Sequence, residues 1–245
     1  MAINTFTVNG VSSDSMHIII TKPPAYPVPE RDVERVSVPG RNGDVIIDHG
    51  AYKNITVSYE VAVLPPSGAT LEQCIASIRT WLCGAVGYAV LRDTYSSGSF
   101  YHASYTGAAK FESIAGKIAK GTLTFDCKPF KYLDSGNSLI QLTSGAVINN
   151  PGSFFSQPVF RIVGSGQATI TIVNSGGTFR YTINNIAPET VLYIDSEQMI
   201  AYHGSVLDNG KLSFSSFPTL VPGNNTISWT SGITSVYATP RWRSI

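Results

Sequence analysis

The sequence predicts a mainly β protein of two domains, and three observations predict it. Apolar and polar residues alternate with period two over most of the chain, as half-buried strands require. Only one segment shows helical spacing. The texture also changes near residue 134, where DSGNSLIQLTSGAVINNPGS, small, polar and glycine-bearing, begins and charge thins out. With 245 residues the chain holds two domains of ordinary size, placed at 1–133 and 134–245. Hydrophobic residues make up 43% and charged residues 13% of it. That favours packed β cores under a Ser/Thr/Asn surface over disorder.

Taken in order, INTFTVNG sets Ile3, Thr5 and Thr7 against Asn4, Phe6 and Val8 and stops at Asn9-Gly10, a preferred hairpin pair. His17 to Thr21 is a second apolar run. KPPAYPVPE follows, and Pro23, Pro24, Pro27 and Pro29 forbid a sheet ladder there and favour an extended connector. VERVSVPGRNGDVIID then reads as a hairpin, Val36 and Val38 facing Val45 and Ile47, with Asn42-Gly43 as a type I′ turn.

Lys53 to Val63 is the clearest strand, with Val57, Tyr59, Val61 and Val63 on one side. Thr70 and Gln73 form a capping box for a helix over about 70–83, stopped by Gly84, with Leu71, Ile75, Ile78 and Leu82 as its apolar stripe. YAVLRD and FYHASYTG flank the turn TYSSGS, and KGTLTFDCKPF turns Leu123, Phe125 and Cys127 inward. The second half is a series of short strands: PVFRIVG, QATITIVN, TFRYTIN, TVLYID, QMIAYHG, KLSFSS, NTISW and SVYATPRWRSI. Their close spacing is that of an all-β sandwich.

Catalytic wiring is thin. GxSxG and HExxH are absent, and Gly116-Lys117 has Phe111 where a P-loop needs its first glycine. VPGRNGD has too few glycines for a phosphate cradle, and strand, not helix, follows. His17, His49, His102 and His203 are scattered. Cys74, Cys83 and Cys127 are odd in number, with the first two on different helix faces, so buried unreactive thiols are expected rather than disulfides or zinc ligands. Asp195 and Glu197 have the spacing of a carboxylate pair, but a hairpin tip explains both more simply. Neither catalytic, cofactor nor metal residues are expected. In PRWRSI, strand alternation would put Arg241 and Arg243 opposite Trp242. Tyr193, Tyr202, Trp229 and Tyr237 are candidates for a sugar-stacking platform, although aromatic residues in a β-sandwich usually fill the interior. A formal net charge of +1 without basic blocks argues against a nucleic-acid grip. No stretch reads as a membrane span or secretory leader.

Nine short motifs in order, FTVNG, ERDVERVSVPGRNGDVIID, GAYKN, YAVLRD, FDCKPFKYL, NNPGSFFSQPVFRIVGSG, LYIDSEQMIAY, FPTLVPGNNTISW and PRWRSI, give the chain a resemblance to the distal tail proteins of long, non-contractile-tailed bacteriophages. The resemblance covers essentially the whole chain. It implies an amino-terminal tail-tube-like β-sandwich with a flanking helix and a carboxyl-terminal galectin-like β-sandwich. It further implies a non-enzymatic structural protein of the virion, made in the host cytoplasm, whose six copies form a ring at the distal end of the tail. The ring would join the tail tube protein to a tail-associated protein and the receptor-binding apparatus, with DNA only passing through its lumen and no membrane contact. Arg41 and Asn42 become candidates for the contact between copies. The galectin sugar-binding set is not recognisable, and the alternative function is a carbohydrate-binding module contacting the host cell surface.

Overall fold

Asn9 and Gly10 both adopt positive φ, 50° and 81°, which a two-residue type I′ turn needs. They close strands Phe6–Val8 and Val11–Ser12 into the first hairpin. The computed structural model describes residues 4–84, 86–105, 107, 109–188, 190–214 and 216–245. Ile3, Thr106 and Ser215, which fall in expected strands, lie outside the described residues. The chain is mainly β and divides into two compact units, one ending at Lys131 and one running from Tyr132 to Ser244.

The amino-terminal unit is built on one antiparallel path in the order Val11–Ser12, Phe6–Val8, Ala89–Asp93, Ser99–Ser104, Ile118–Cys127, Ile55–Val63, Ile18–Ile20. Its centre is the long pairing of Ile55–Val63 with Ile118–Cys127, in register from Ala119 opposite Val63 to Cys127 opposite Ile55. Val57, Tyr59, Val61 and Val63 are all buried, as their alternation predicts, together with Leu123, Phe125 and Cys127. Each such side chain contributes about 1.5–3 kcal/mol by leaving water. Phe6 stacks on Tyr59 at 5.0 Å, and the Tyr59 hydroxyl donates to Asp93 at 2.8 Å, so the buried ring keeps a partner for its polar end.

Helix Leu71–Cys83 lies against this core, opened by the expected box: Gln73 N–H donates to Thr70 Oγ1 and Thr70 N–H to Gln73 Oε1. Its buried residues are Cys74, Ile78 and Leu82. Cys74 therefore takes the place expected for Ile75, which is only half-buried. Gly84 ends the helix with φ −76°, not in the left-handed region. A Cβ there would come within 2.6 Å of the Thr80 carbonyl oxygen. Beyond the predicted strands, Phe111–Ile114 pairs with Ile118–Cys127 through Ala115 and Gly116, both at positive φ.

The four-proline segment follows Ile18–Ile20 without regular structure. After it, Arg31–Val36 and Val45–Tyr52 pair only with each other, as a separate two-stranded sheet. The expected hairpin is present, but its turn is different. The strands are joined by the eight residues 37–44. Arg41 N–H donates to the Val38 carbonyl at 3.1 Å and Gly40 has φ 80°, a type II turn with Pro39 at its second position. Asn42 is not at positive φ, so the Asn42-Gly43 type I′ turn does not form.

In the carboxyl-terminal unit two sheets face each other. One runs Ile140–Leu142, Ile233–Thr239, Val159–Gly164, Val191–Asp195, Ile200–His203, Val206–Leu207; the other runs Ala146–Asn150, Gly223–Trp229, Gly166–Asn174, Gly177–Ile186, Leu212–Ser213. Phe160, Ile162, Leu192 and Ile194 from the first meet Ile170, Ile172, Ile183 and Ile227 from the second. Two buried asparagines tie down the connecting loops. Asn150 donates to the Phe154 and Leu220 carbonyls, and Asn225 to the Val221 and Gly223 carbonyls. These satisfied amides explain two of the motifs, NNPGSFF and VPGNNT, as loop clamps.

Candidate functional site

No catalytic constellation forms among the described residues. Asp195 is 3% exposed and accepts from Arg241 at 2.8 and 3.0 Å, and from the backbone N–H groups of Glu197 and Gln198. Burial pushes its carboxyl up, but the Arg241 and backbone hydrogen bonds outweigh burial and hold it below its ordinary value. It is a hairpin-tip clamp, not a poised acid. Arg241 takes positive φ, 55°, after Pro240, so the expected strand is broken there. Trp242 is buried in the core, and Arg243 is buried too, donating from Nε to the Phe155 carbonyl. Neither arginine is available to stack on a ligand.

The histidines stay apart, with His49 near Asp32 and His203 bonded to Asp208. No group of three or more potential metal-binding side chains occurs among the described residues. The cysteines are all free thiols: Cys74 and Cys127 are buried, but Cys83 is exposed, contrary to expectation. Burial pushes the Cys127 thiol up to about 12. A groove of about 500 Å³ above Ile118–Cys127 is lined by Glu60, Glu112, Lys110 and Lys120 with threonines, a mixed charge set with no nucleophile–base pair.

Two surfaces remain. The first is the hairpin of residues 31–52. Arg31 binds Asp48 at 2.7 Å and Tyr52 at 3.0 Å, which pins its open end, and this pairing holds the Asp48 carboxyl below its ordinary value. Val36 and Ile47 lie on one face and Ile46 on the other, by their register. Ile46 is 57% exposed and Ile47 44%. A two-stranded ribbon is marginal on its own in water, and apolar residues on both faces want cover. Arg41 and Asn42, the predicted contact residues, sit exposed in its tip loop.

The second surface is the outer face of the six-stranded sheet. Register places Gln141, Tyr237, Arg161, Tyr193, Tyr202 and Leu207 side by side, one from each strand. The Arg161 guanidinium lies 4.8 Å from the Tyr237 ring centre, and Tyr193 and Tyr202 stack at 5.1 Å with planes 9° apart. Three of the four candidate platform residues are thus in one row on the outer face instead of in the interior. Trp229 is not, because it belongs to the opposite sheet and packs on the core. Arg161 and Gln141 went unforeseen, since only the strand order brings them into line.

A helix-covered antiparallel unit followed by a two-sheet sandwich has a counterpart of similar fold among solved structures. The particular structure is that of the SPP1 Dit (gp 19.1) protein, described as a paradigm of hub adsorption apparatus in Gram-positive infecting phages. It matches with a TM-score of 0.74 over 97% of this chain and 98% of its own, at 15% identity. At that identity the likeness is one of fold. No protein-family model and no curated protein matches the sequence.

Proposed function

We propose that this chain is a structural hub of a phage tail: six copies close head to tail into a ring at the distal end, joining the tail tube protein to a tail-associated protein and the receptor-binding apparatus. The observation that carries this reading is the likeness to SPP1 Dit across both units and nearly the full length of both chains. The exposed hairpin of residues 31–52 lies on the neighbouring copy in this ring, and its tip residues Arg41 and Asn42 reach that neighbour. Heterologous contacts of this kind close when the rotation per copy divides the circle. DNA passes through the lumen, and a net charge of +1 suits a wall that must not grip phosphates. The protein acts in the virion as scaffold, not as catalyst.

Negative-stain imaging and native mass spectrometry of the purified chain, alone and mixed with its tail tube protein, test the proposal. A six-copy species with a central hole is expected. A chain that stays monomeric at every concentration in both samples overturns it.

A further inference from the structure

We propose that the row of Tyr237, Arg161, Tyr193 and Tyr202 on the outer sheet face binds an acidic polysaccharide. The row crosses all six strands, and at about 4.8 Å per strand it spans roughly 24 Å from Gln141 to Leu207. That length suits an extended chain better than a single sugar ring.

The chemistry of the row follows from its stacking. Tyr193 and Tyr202 each cover one face of the other and Arg161 covers one face of Tyr237, and the half-buried row carries three phenol hydroxyls and a guanidinium fork beside the exposed Gln141 amide. The phenols and the amide both donate and accept, and the guanidinium donates only. Beyond the ring contacts, none of them is engaged by another protein group among the described residues. Stacking already limits their rotamers, so binding orders little that is free.

Charge selects the ligand. Arg241 is held by Asp195 and Arg243 is buried against the Phe155 carbonyl, whereas no carboxylate pairs with Arg161 among the described residues. A guanidinium backed by a ring presents its fork to a carboxylate or phosphate, which it grips bidentately. A protein partner gains most by burying large aromatic anchors in pockets, and here one face of each ring is already covered within the row. A hydroxyl-rich chain carrying anions offers a partner to each phenol, to the amide and to the guanidinium.

Affinity electrophoresis of the full chain tests this, with polygalacturonate, phosphomannan or dextran in the gel. Retardation by an acidic polymer, weakened by salt, and none by dextran is expected. Arg161→Gln should lose at least tenfold in apparent affinity, Arg161→Lys less, and the Tyr193→Phe/Tyr202→Phe pair severalfold, all with native circular dichroism. Arg180→Ala, at an exposed position of the opposite sheet, should bind as the parent does. Indifference to both acidic polymers, or undiminished retardation of Arg161→Gln, overturns the proposal. So does a change of particle mass on Arg161→Gln without loss of sugar binding, which would give the row to contact between copies. The site does not rest on ring formation: a monomer that still binds keeps it and removes the hub.

Discussion

Arg241 and Asp195 join the last segment of the chain to the tip of the Val191–Asp195 strand by two parallel hydrogen bonds, 2.8 and 3.0 Å long. Removing Arg241 strands the buried Asp195 charge, whereas Arg241, a quarter exposed, keeps Glu197 at 3.5 Å when Asp195 is removed. Arg241→Ala should cost about 3–5 kcal/mol in urea unfolding followed by the fluorescence of the nearby Trp242, and Asp195→Ala less. The pair also has a pH signature. The folded Asp195 carboxyl lies below its ordinary value, so its contribution is complete above the unfolded value, about 4. It is lost as pH falls through the lower folded value. The difference in Tm between the parent and Asp195→Asn should therefore shrink on acidification below about pH 4.

The proposed contact between copies makes the hairpin of residues 31–52 a test of assembly apart from folding. Ile46→Lys with Ile47→Lys alters exposed positions that touch no core, so unfolding free energy should stay within about 0.5 kcal/mol of the parent. The same double variant should abolish the six-copy species in native mass spectrometry. Ring formation unchanged by both charges would remove the hairpin from the contact.

Thiol titration distinguishes the three cysteines. With Cys83 exposed and Cys74 and Cys127 buried, one thiol should react promptly with an aromatic disulfide reagent in the native protein. Two more should appear only on denaturation. Cys83→Ser should leave no promptly reacting thiol.

Gly152 admits no side chain. A Cβ there would stand 2.2 Å from the Arg243 carbonyl oxygen and 3.1 Å from Asn150 Oδ1; the first is backbone and the second belongs to a buried amide held by its own hydrogen bonds, so neither yields easily. Gly152→Ala should cost on the order of 4 kcal/mol, read as loss of soluble protein or a collapsed Tm.

Much of this architecture is legible in the sequence where burial is one-sided. The alternation through Val57, Tyr59, Val61 and Val63 marks its strand because that strand sits between two neighbours with one face on the core. The Thr70–Gln73 box marks the helix start because capping is local chemistry. What escapes is set by distant partners. Strands Ile140–Leu142 and Ala146–Asn150 lie at sheet edges, and their fully buried residues are only Leu142 and Asn150; a buried asparagine defeats any hydropathy reading. At the Val33–Asp48 ribbon, Asn42-Gly43 has the right turn preference, but the strands stop pairing at Val36 and Val45, leaving a wide loop in which Pro39-Gly40 makes the turn. The ladder through Arg161 depends on strands 233–239, 159–164 and 191–195 lying side by side, an order that no local pattern encodes.

The path of the amino-terminal sheet ends on Ile18–Ile20, three residues long and followed at once by the four prolines of KPPAYPVPE. Proline has no N–H to offer an incoming strand, and so short an edge gives a foreign chain little to grip. This edge is therefore a poor template for a strand from another copy, which guards the free protein against fibre growth along that side of the sheet.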